Sequence, residues 1–285
     1  ASDVYKRQTY KRNQRIFKLT KMKKYFVIGN PINHSLSPKL HNHWLEQNKI
    51  NAVYEKIKLE EDEIENFILK IKNQKINGCN VTVPFKKTVI PFLDKLSLEA
   101  EQTQSVNTIC FHNGDVIGYN TDIGGFQKAI NKLNYKIEDK KILILGAGGV
   151  VPSIIFALNK MKATKITISN RTYKKAENLK SQFKGINIVS WGEIPEFDMI
   201  INATSLGLNN ETIDLNTSNI GDGKLFYDVI YNPNETNFLK DGKKLGNQTE
   251  NGKFMFIYQA FEAFKLWHDL EPSVDDKILN LLNND

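Results

Sequence analysis

The chain has only two cysteines, Cys79 and Cys110, with neither a Cys-x-x-Cys spacing nor a histidine cluster nearby. That argues against a disulfide framework and a zinc site, so both thiols are expected to be reduced and packed, and no metal is expected. Long apolar runs are also missing. No stretch approaches the roughly 18 residues that a membrane span requires, and the N-terminus has no apolar signal-peptide core, so a cytoplasmic protein without membrane contact is expected. Acidic residues are scarce at one end. Residues 1–21 carry Lys6, Arg7, Lys11, Arg12, Arg15, Lys18 and Lys21 against Asp3 alone, so most of the formal net charge of +7 sits there. A basic tail without apolar periodicity is more often disordered than functional, so the charge is a poor argument for nucleic-acid binding. Residues 1–21 are set aside as a disordered or non-native tail, and Met22 is the natural start of the folded body.

What remains is long enough for two ordinary domains, each with its own core. The most constraining stretch is Lys140 to Ile155. Ile142 to Leu145 is an apolar run too short for a helix, so it reads as a buried parallel strand, and it runs into Gly146-Ala147-Gly148-Gly149. Helical spacing resumes at Val150, with Pro152 tolerable only in a first turn. Strand, glycine loop and helix start together make a pyrophosphate site, because glycines let the backbone approach and the helix end offers free N–H groups. Val151 stands where the usual fingerprint has its third glycine or alanine, so the loop alone is weak evidence. A second strand, Lys165 to Ser169, ends at Asn170-Arg171-Thr172, with Arg171 23 positions after Gly148. An acidic residue there would accept from the ribose of NAD, whereas an arginine can fork onto a 2′-phosphate and so points to NADP. A solvated surface arginine is the plain alternative.

The N-terminal part reads β-α-β-α-β: strands at Tyr25–Gly29, Val53–Lys58 and Ile76–Thr82, helices at Pro38–Gln47 and Glu60–Lys72. Ser35 and Ser37 stand at the start of the first helix, where they either cap it or hold a carboxylate. Asn80, Thr82 and Lys86 lie at the carboxyl end of a parallel strand, an edge where ligands bind, although Lys86 taken alone is an ordinary surface lysine. A helix at Ser97–Gln104 precedes strands at Val106–Phe111 and Val116–Tyr119, joined by an Asn113-Gly114 turn. Asn107 lies on this pair, and Asp122 ends it as either a helix cap or a group facing an interdomain cleft. Further elements are expected at Tyr173–Gln182, Ile186–Val189, Met199–Asn202, Leu225–Ile230 and Phe254–His268, with Gln259 off the apolar stripe of the last helix.

Taken together, Ser35-Leu36-Ser37-Pro38, Asn80-Val81-Thr82-Val83-Pro84-Phe85-Lys86, Val106-Asn107-Thr108, Asn120-Thr121-Asp122, Gly146-Ala147-Gly148-Gly149, Asn170-Arg171-Thr172 and Gln259-Ala260 resemble the shikimate dehydrogenase family over about residues 22–285. These are NADP-dependent enzymes that interconvert 3-dehydroshikimate and shikimate in aromatic amino-acid biosynthesis. The resemblance implies an α/β fold of two domains: an N-terminal substrate domain (22–121) completed by C-terminal helices (253–285), and a Rossmann NADP domain (122–252). It implies Lys86 and Asp122 as the catalytic pair. Ser35 and Ser37 would hold the substrate carboxylate, with Thr82, Lys86, Asn107, Asp122 and Gln259 around the ring hydroxyls and Tyr231 closing the cleft. Gly146, Ala147, Gly148 and Gly149 would hold the pyrophosphate, and Asn170, Arg171, Thr172 and Lys175 the adenosine end with its 2′-phosphate. Val150-Val151-Pro152 departs from the small and basic residues common after this family's glycine loop. The expected partners are small molecules, with no nucleic acid or membrane, and the chain is expected to be a monomer or homodimer. A quinate dehydrogenase of the same superfamily stays open, although Ser37 argues against it. So does a catalytically silent NADP- or shikimate-binding regulator, which would have little reason to keep both Lys86 and Asp122.

Overall fold

The computed structural model describes residues 22–215 and 220–283. The expected tail, 1–21, lies outside them. Six strands form a first sheet: β1 (Lys23–Gly29), β2 (Ala52–Lys58), β3 (Gly78–Val81), β4 (Lys95–Leu96), β5 (Thr108–His112) and β6 (Asp115–Tyr119), in the order β2-β1-β3-β5-β6-β4. The β2-β1-β3 part is parallel, and β5 joins β3 antiparallel. The β5–β6 hairpin turns at Asn113 and Gly114, both at positive φ, as a tight Asn-Gly turn requires. Helices α1 (Ser37–Gln47) and α2 (Ile64–Lys72) are the crossovers of the parallel part, and α3 (Leu98–Thr103) precedes the hairpin. Phe67, Ile68 and Ile71 of α2 bury against Phe26, Ile28 and Val81.

After α4 (Asp122–Lys132) a second, all-parallel sheet begins. Its strands are β7 (Lys141–Leu145), β8 (Lys165–Ser169), β9 (Ile186–Val189), β10 (Met199–Asn202), β11 (Leu225–Asp228) and β12 (Gln248–Glu250), in the order β12-β11-β10-β7-β8-β9. Helices α5 (Val151–Lys160) and α6 (Tyr173–Gln182) connect the first three strands, and α7 (Asn237–Lys244) precedes β12. The chain reverses direction across the sheet between β7 and β10, and the crevice at such a switch point is where a doubly wound sheet takes its ligand.

The two sheets are joined by α4 and by α8 (Lys253–His268). Gly125 permits their close approach: a Cβ there would stand 2.8 Å from the Gln259 amide nitrogen and 3.0 Å from the Met255 carbonyl. Along α8, Met255 buries with the second sheet's core, while Ile257, Ala260 and Phe264 bury with Tyr25, Leu40 and Trp44 beside the first. Trp267 donates from Nε1 to the Ile109 carbonyl (3.2 Å) and packs at a tilt against the Tyr25 ring, returning the C-terminal segment to the first sheet. The last helix, α9 (Asp276–Asn283), adds Ile278 and Leu282 to that core.

Several elements differ from their sequence reading. Glu60–Lys72 is a 3-10 turn (Glu61–Glu63) feeding α2, held by a Glu60/Glu63 capping box. Ser37 is the first helical residue rather than the cap. The helix α7 was not expected because Gly242 weakens its pattern, yet a Cβ at that position would meet the Phe226 ring at 2.5 Å, so the glycine is what lets α7 lie on β11. The polar edge strand β12 likewise gave no apolar signal.

Candidate active site

Lys86 follows the carboxyl end of β3 on a turn anchored by buried Phe85 and Val89, and its carbonyl accepts from the Val106 amide (2.8 Å). That turn aims Nζ at Asp122 Oδ2, 2.5 Å away, with 14% and 9% of the two side chains exposed. Asp122 is the first residue of α4, but its carboxylate does not cap the helix. Its other oxygen accepts from Asn107 Nδ2 (2.8 Å). Asn107 is a buried hub: its Oδ1 accepts from the Thr121 amide (2.7 Å) and hydroxyl (3.0 Å) and from Thr108 (3.1 Å). Asn80 donates to the Asn107 carbonyl and to Thr108, and accepts a 2.6 Å hydrogen bond from the Tyr54 hydroxyl. Asn80, Tyr54 and Thr121 were given no role of their own. Asn80 carried a signal as a polar residue at the ligand-binding end of its strand and Thr121 as part of the Asn120-Thr121-Asp122 motif, whereas Tyr54 carried none.

The other expected site residues border the same cleft, whose volume is about 740 Å³. Ser35, Ser37, Thr82, Tyr231 and Gln259 stand with Lys86, Asn107 and Asp122 on the first-sheet side. Ser35 Oγ accepts weakly from the Ser37 amide (3.3 Å), which leaves its own proton to donate. Tyr231 stacks on Phe256 with ring centroids 4.5 Å apart, and burial pushes its hydroxyl up to about 12, so it stays a donor. Gln259 donates from Nε2 to the Phe256 carbonyl, and its Oε1 makes no hydrogen bond among the described residues. It is half-buried rather than exposed.

Gly146, Ala147, Gly148, Gly149, Asn170, Arg171, Thr172 and Lys175 border the second-sheet side. Gly146 sits at φ +110 with no room for a Cβ, which would lie 2.8 Å from the Ala203 carbonyl oxygen. At Gly148 and Gly149 the reverse holds: a Cβ would meet nothing closer than Ala203 at 3.7 Å, so the loop opens onto the cleft. Val151 is fully buried in the core beneath, so the volume added over glycine is taken up away from the cleft. Arg171 and Lys175 make no ion pair among the described residues, and both are exposed at the cleft edge. An open glycine loop before a helix start, with two unpaired cations at the end of the second strand, fits a dinucleotide carrying an extra phosphate.

Opposite the glycine loop, Ala203 to Leu206 follow β10. Their shape comes from Asn202, which accepts from the Thr204 amide and hydroxyl and donates to the Leu206 carbonyl and to Asp228. Asp228 is fully buried and makes no ion pair among the described residues. Burial raises its pKa, opposed by donation from Thr236 Oγ1 (2.6 Å), the Ile230 amide and Asn202. Neither Asn202 nor Asp228 was expected to act here, since Asn202 read as a strand end and Asp228 as part of the strand Leu225–Ile230.

Comparisons with known proteins identify the family. Residues 27–109 match the shikimate dehydrogenase substrate binding domain, and residues 127–219 match the shikimate / quinate 5-dehydrogenase family. The chain is 58% identical over 264 residues to the NADP(+) shikimate dehydrogenase of Pelagibacter ubique, covering 92% of this chain and 100% of that one. The chain belongs to the shikimate dehydrogenase family. Among solved shikimate dehydrogenases, that of Aquifex aeolicus superposes with a TM-score of 0.85 at 37% identity, covering 93% of this chain and 98% of that one. The Thermus thermophilus shikimate dehydrogenase, solved with NADP(H) and shikimate, superposes with a TM-score of 0.84 at 29% identity over 92% and 99% of the two chains. The shikimate dehydrogenase relatives are oxidoreductases that use NADP, and the α/β fold with a nucleotide-binding sheet is theirs too.

Proposed function

We propose that this chain catalyses the reversible NADP-dependent reduction of 3-dehydroshikimate to shikimate, with Lys86 and Asp122 handling the proton. The observation that carries this reading is the Lys86–Asp122 pair, held by Asn107 inside a cleft that also takes in the glycine loop. Reducing a ketone to an alcohol requires a hydride on carbon and a proton on oxygen. NADPH supplies the hydride when bound. The Lys86 ammonium donates the proton to the developing alkoxide and is replenished from water through its partly exposed side chain. Asp122 orients that ammonium. In the direction of oxidation Lys86 takes the same proton back.

Ser35 and Ser37 hold the substrate carboxylate as hydroxyl donors at the positive end of α1. Thr82, Asn107 and Gln259 meet the ring hydroxyls, and Tyr231 closes the cleft over them. Gly146, Ala147, Gly148 and Gly149 take the pyrophosphate, while Asn170, Arg171, Thr172 and Lys175 take the adenosine 2′-phosphate end. The domain division runs through Asp122: 22–121 with 253–285 form the substrate half, and 122–252 the nucleotide half. No helix among the described residues is long and apolar enough to cross a membrane, and the inferred partners are the two small molecules alone, with no nucleic acid, for a cytoplasmic monomer or homodimer.

The test is the rise in NADPH absorbance when the purified chain is given shikimate and NADP, with quinate and NAD as competing pairs. Turnover of shikimate with NADP well above the other three combinations is expected. Binding of both ligands without turnover would instead identify a silent regulator, and faster turnover of quinate a different dehydrogenase.

A further inference from the structure

Behind the catalytic pair lies a buried knot of three side chains that the reaction as described does not use. Asn120 directly follows β6, two residues before Asp122. Its Nδ2 donates to Thr103 Oγ1 of α3 and to Ser153 Oγ of α5, both at 2.9 Å. Ser153 Oγ donates in return to Asn120 Oδ1 at 3.2 Å. Thr103 passes its own proton to the Glu99 carbonyl (2.6 Å), so the order of donation is fixed from the α3 backbone outward. All three side chains are buried.

Their positions in the chain give the knot its meaning. Ser153 is the third residue of α5, the helix that opens directly after the glycine loop. Asn120 is one peptide removed from Thr121, whose amide and hydroxyl orient Asn107, and Asn107 in turn orients Asp122. A continuous line of hydrogen bonds and one stretch of backbone thus leads from the nucleotide helix to the Lys86 partner. The same two halves are also bridged by exposed contacts, Lys160 to Glu99 (3.8 Å) and Gln182 to the Gln102 carbonyl (3.1 Å), but these are solvated and easily remade.

We propose that Asn120 and Ser153 form the pivot that fixes the glycine-loop helix against the Lys86–Asp122 pair, and that they are positioning residues for the transfer of hydride and proton to one carbonyl group. The reason is geometric. Hydride arrives from the nucleotide half and the proton from the substrate half, so the rate depends on the distance between halves, and a misplacement of about 1 Å can cost on the order of 10²-fold. A reciprocal pair of buried hydrogen bonds at the hinge resists such a slip, because sliding would leave an amide and a hydroxyl unsatisfied away from water.

This inference rests on the proposed dehydrogenase activity, so wild-type turnover of shikimate with NADP is measured first. Its absence would remove that reading and the pivot with it. Given turnover, Ser153→Ala is compared with Lys160→Met, which removes one of the two exposed bridges and leaves the buried knot intact, at a temperature where melting curves show both fully folded. The expected result is a fall in kcat of about tenfold for Ser153→Ala, with the NADP Kd within about twofold of wild type, and no change for Lys160→Met. Asn120→Ser should give a similar fall, and the double variant should be no slower than the slower single, as for residues acting as one unit. If Asn120→Ser does not fold, Ser153→Ala against Lys160→Met decides alone. A lower Tm with kcat unchanged would overturn the pivot. So would a matching loss of NADP affinity, which would show that Ser153 only supports the glycine loop.

Discussion

Replacing Lys86 by methionine removes the ammonium while keeping most of the side chain's length and apolar stem. The structure separates two consequences. The first is chemical: no other cation is placed on Asp122 among the described residues, so the proposed proton donor is lost, and kcat should fall by about 10²- to 10⁴-fold with a smaller change in shikimate KM. The second concerns folding. Asp122 would keep only its hydrogen bond from Asn107, and breaking a buried pair by removing one partner costs about 3 to 5 kcal/mol when the group left behind stays charged. Here the remaining exposure of the pair lets water reach Asp122, so the expected loss is nearer 1 to 2 kcal/mol, roughly the low end for an unsatisfied buried polar group. The neighbouring Lys87 is exposed and makes no ion pair among the described residues, and Lys87→Met is the control. The assay is NADPH formation at saturating shikimate, with melting curves on both variants. A kcat for Lys86→Met within about threefold of wild type, or an equal loss from Lys87→Met, would refute the assignment.

Three further outcomes are expected. Ser35→Ala with Ser37→Ala should raise the shikimate KM and leave NADP binding nearly unchanged, each hydrogen bond to the carboxylate contributing about 1.5 to 3 kcal/mol; normal binding with a lowered Tm would mean the serines only support α1. Arg171→Ala should lower kcat/KM for NADP by at least about tenfold and spare NAD, since a paired guanidinium–phosphate contact is lost, and a wild type that used both cofactors equally would make Arg171 an ordinary surface charge. His41 is buried against Tyr54 with neither ring nitrogen partnered, and burial lowers its pKa to about 3, with nearby His268 lowered to about 4. The unfolded chain therefore binds the proton first, so this contribution is whole above about pH 6.5 and is lost as pH falls toward 3; His41→Phe should flatten the pH dependence of urea stability between pH 6.5 and 4, and an unchanged slope would exclude His41 as its source.

How far the sequence disclosed this site depended on whether a role is local or long-range. Gly146, Gly148 and Gly149 report the backbone they stand in, and β8, β9, β10 and α6 end where their residue patterns end, because strand alternation and helix spacing are short-range properties. Asp122 was ambiguous for the opposite reason. From its neighbours it reads as a helix cap, and only the fold brings it to Lys86, 36 positions away. Tyr54 carried no signal at all: its hydroxyl reaches Asn80 on β3 across the intervening strand β1, a neighbour set by sheet order rather than by spacing. Asp228 was hidden in the same way, since its donors Thr236 and Asn202 lie on opposite sides of it in sequence.

The direction of hydrogen bonding around Asn107 bears on the part Asp122 plays in the proposed Lys86–Asp122 pair. A backbone amide can only donate, and the Thr121 amide points at Asn107, so the atom it meets must be the amide oxygen. The NH₂ group of Asn107 is thereby turned toward Asp122 and donates to it. An oxygen already receiving that hydrogen bond is a poor place for a carboxyl proton, because two hydrogens would face one another. The remaining oxygen faces Lys86 Nζ, which has three protons to give when charged. Donation therefore runs one way, from the Thr121 amide into Asn107 and from Asn107 into Asp122, which makes Oδ1 an acceptor and leaves Oδ2 to Lys86. That polarity is what the proposed chemistry needs: in the reduction the transferable proton starts on Lys86, and Asp122 stays an acceptor throughout, holding the ammonium before transfer and the neutral amine after it.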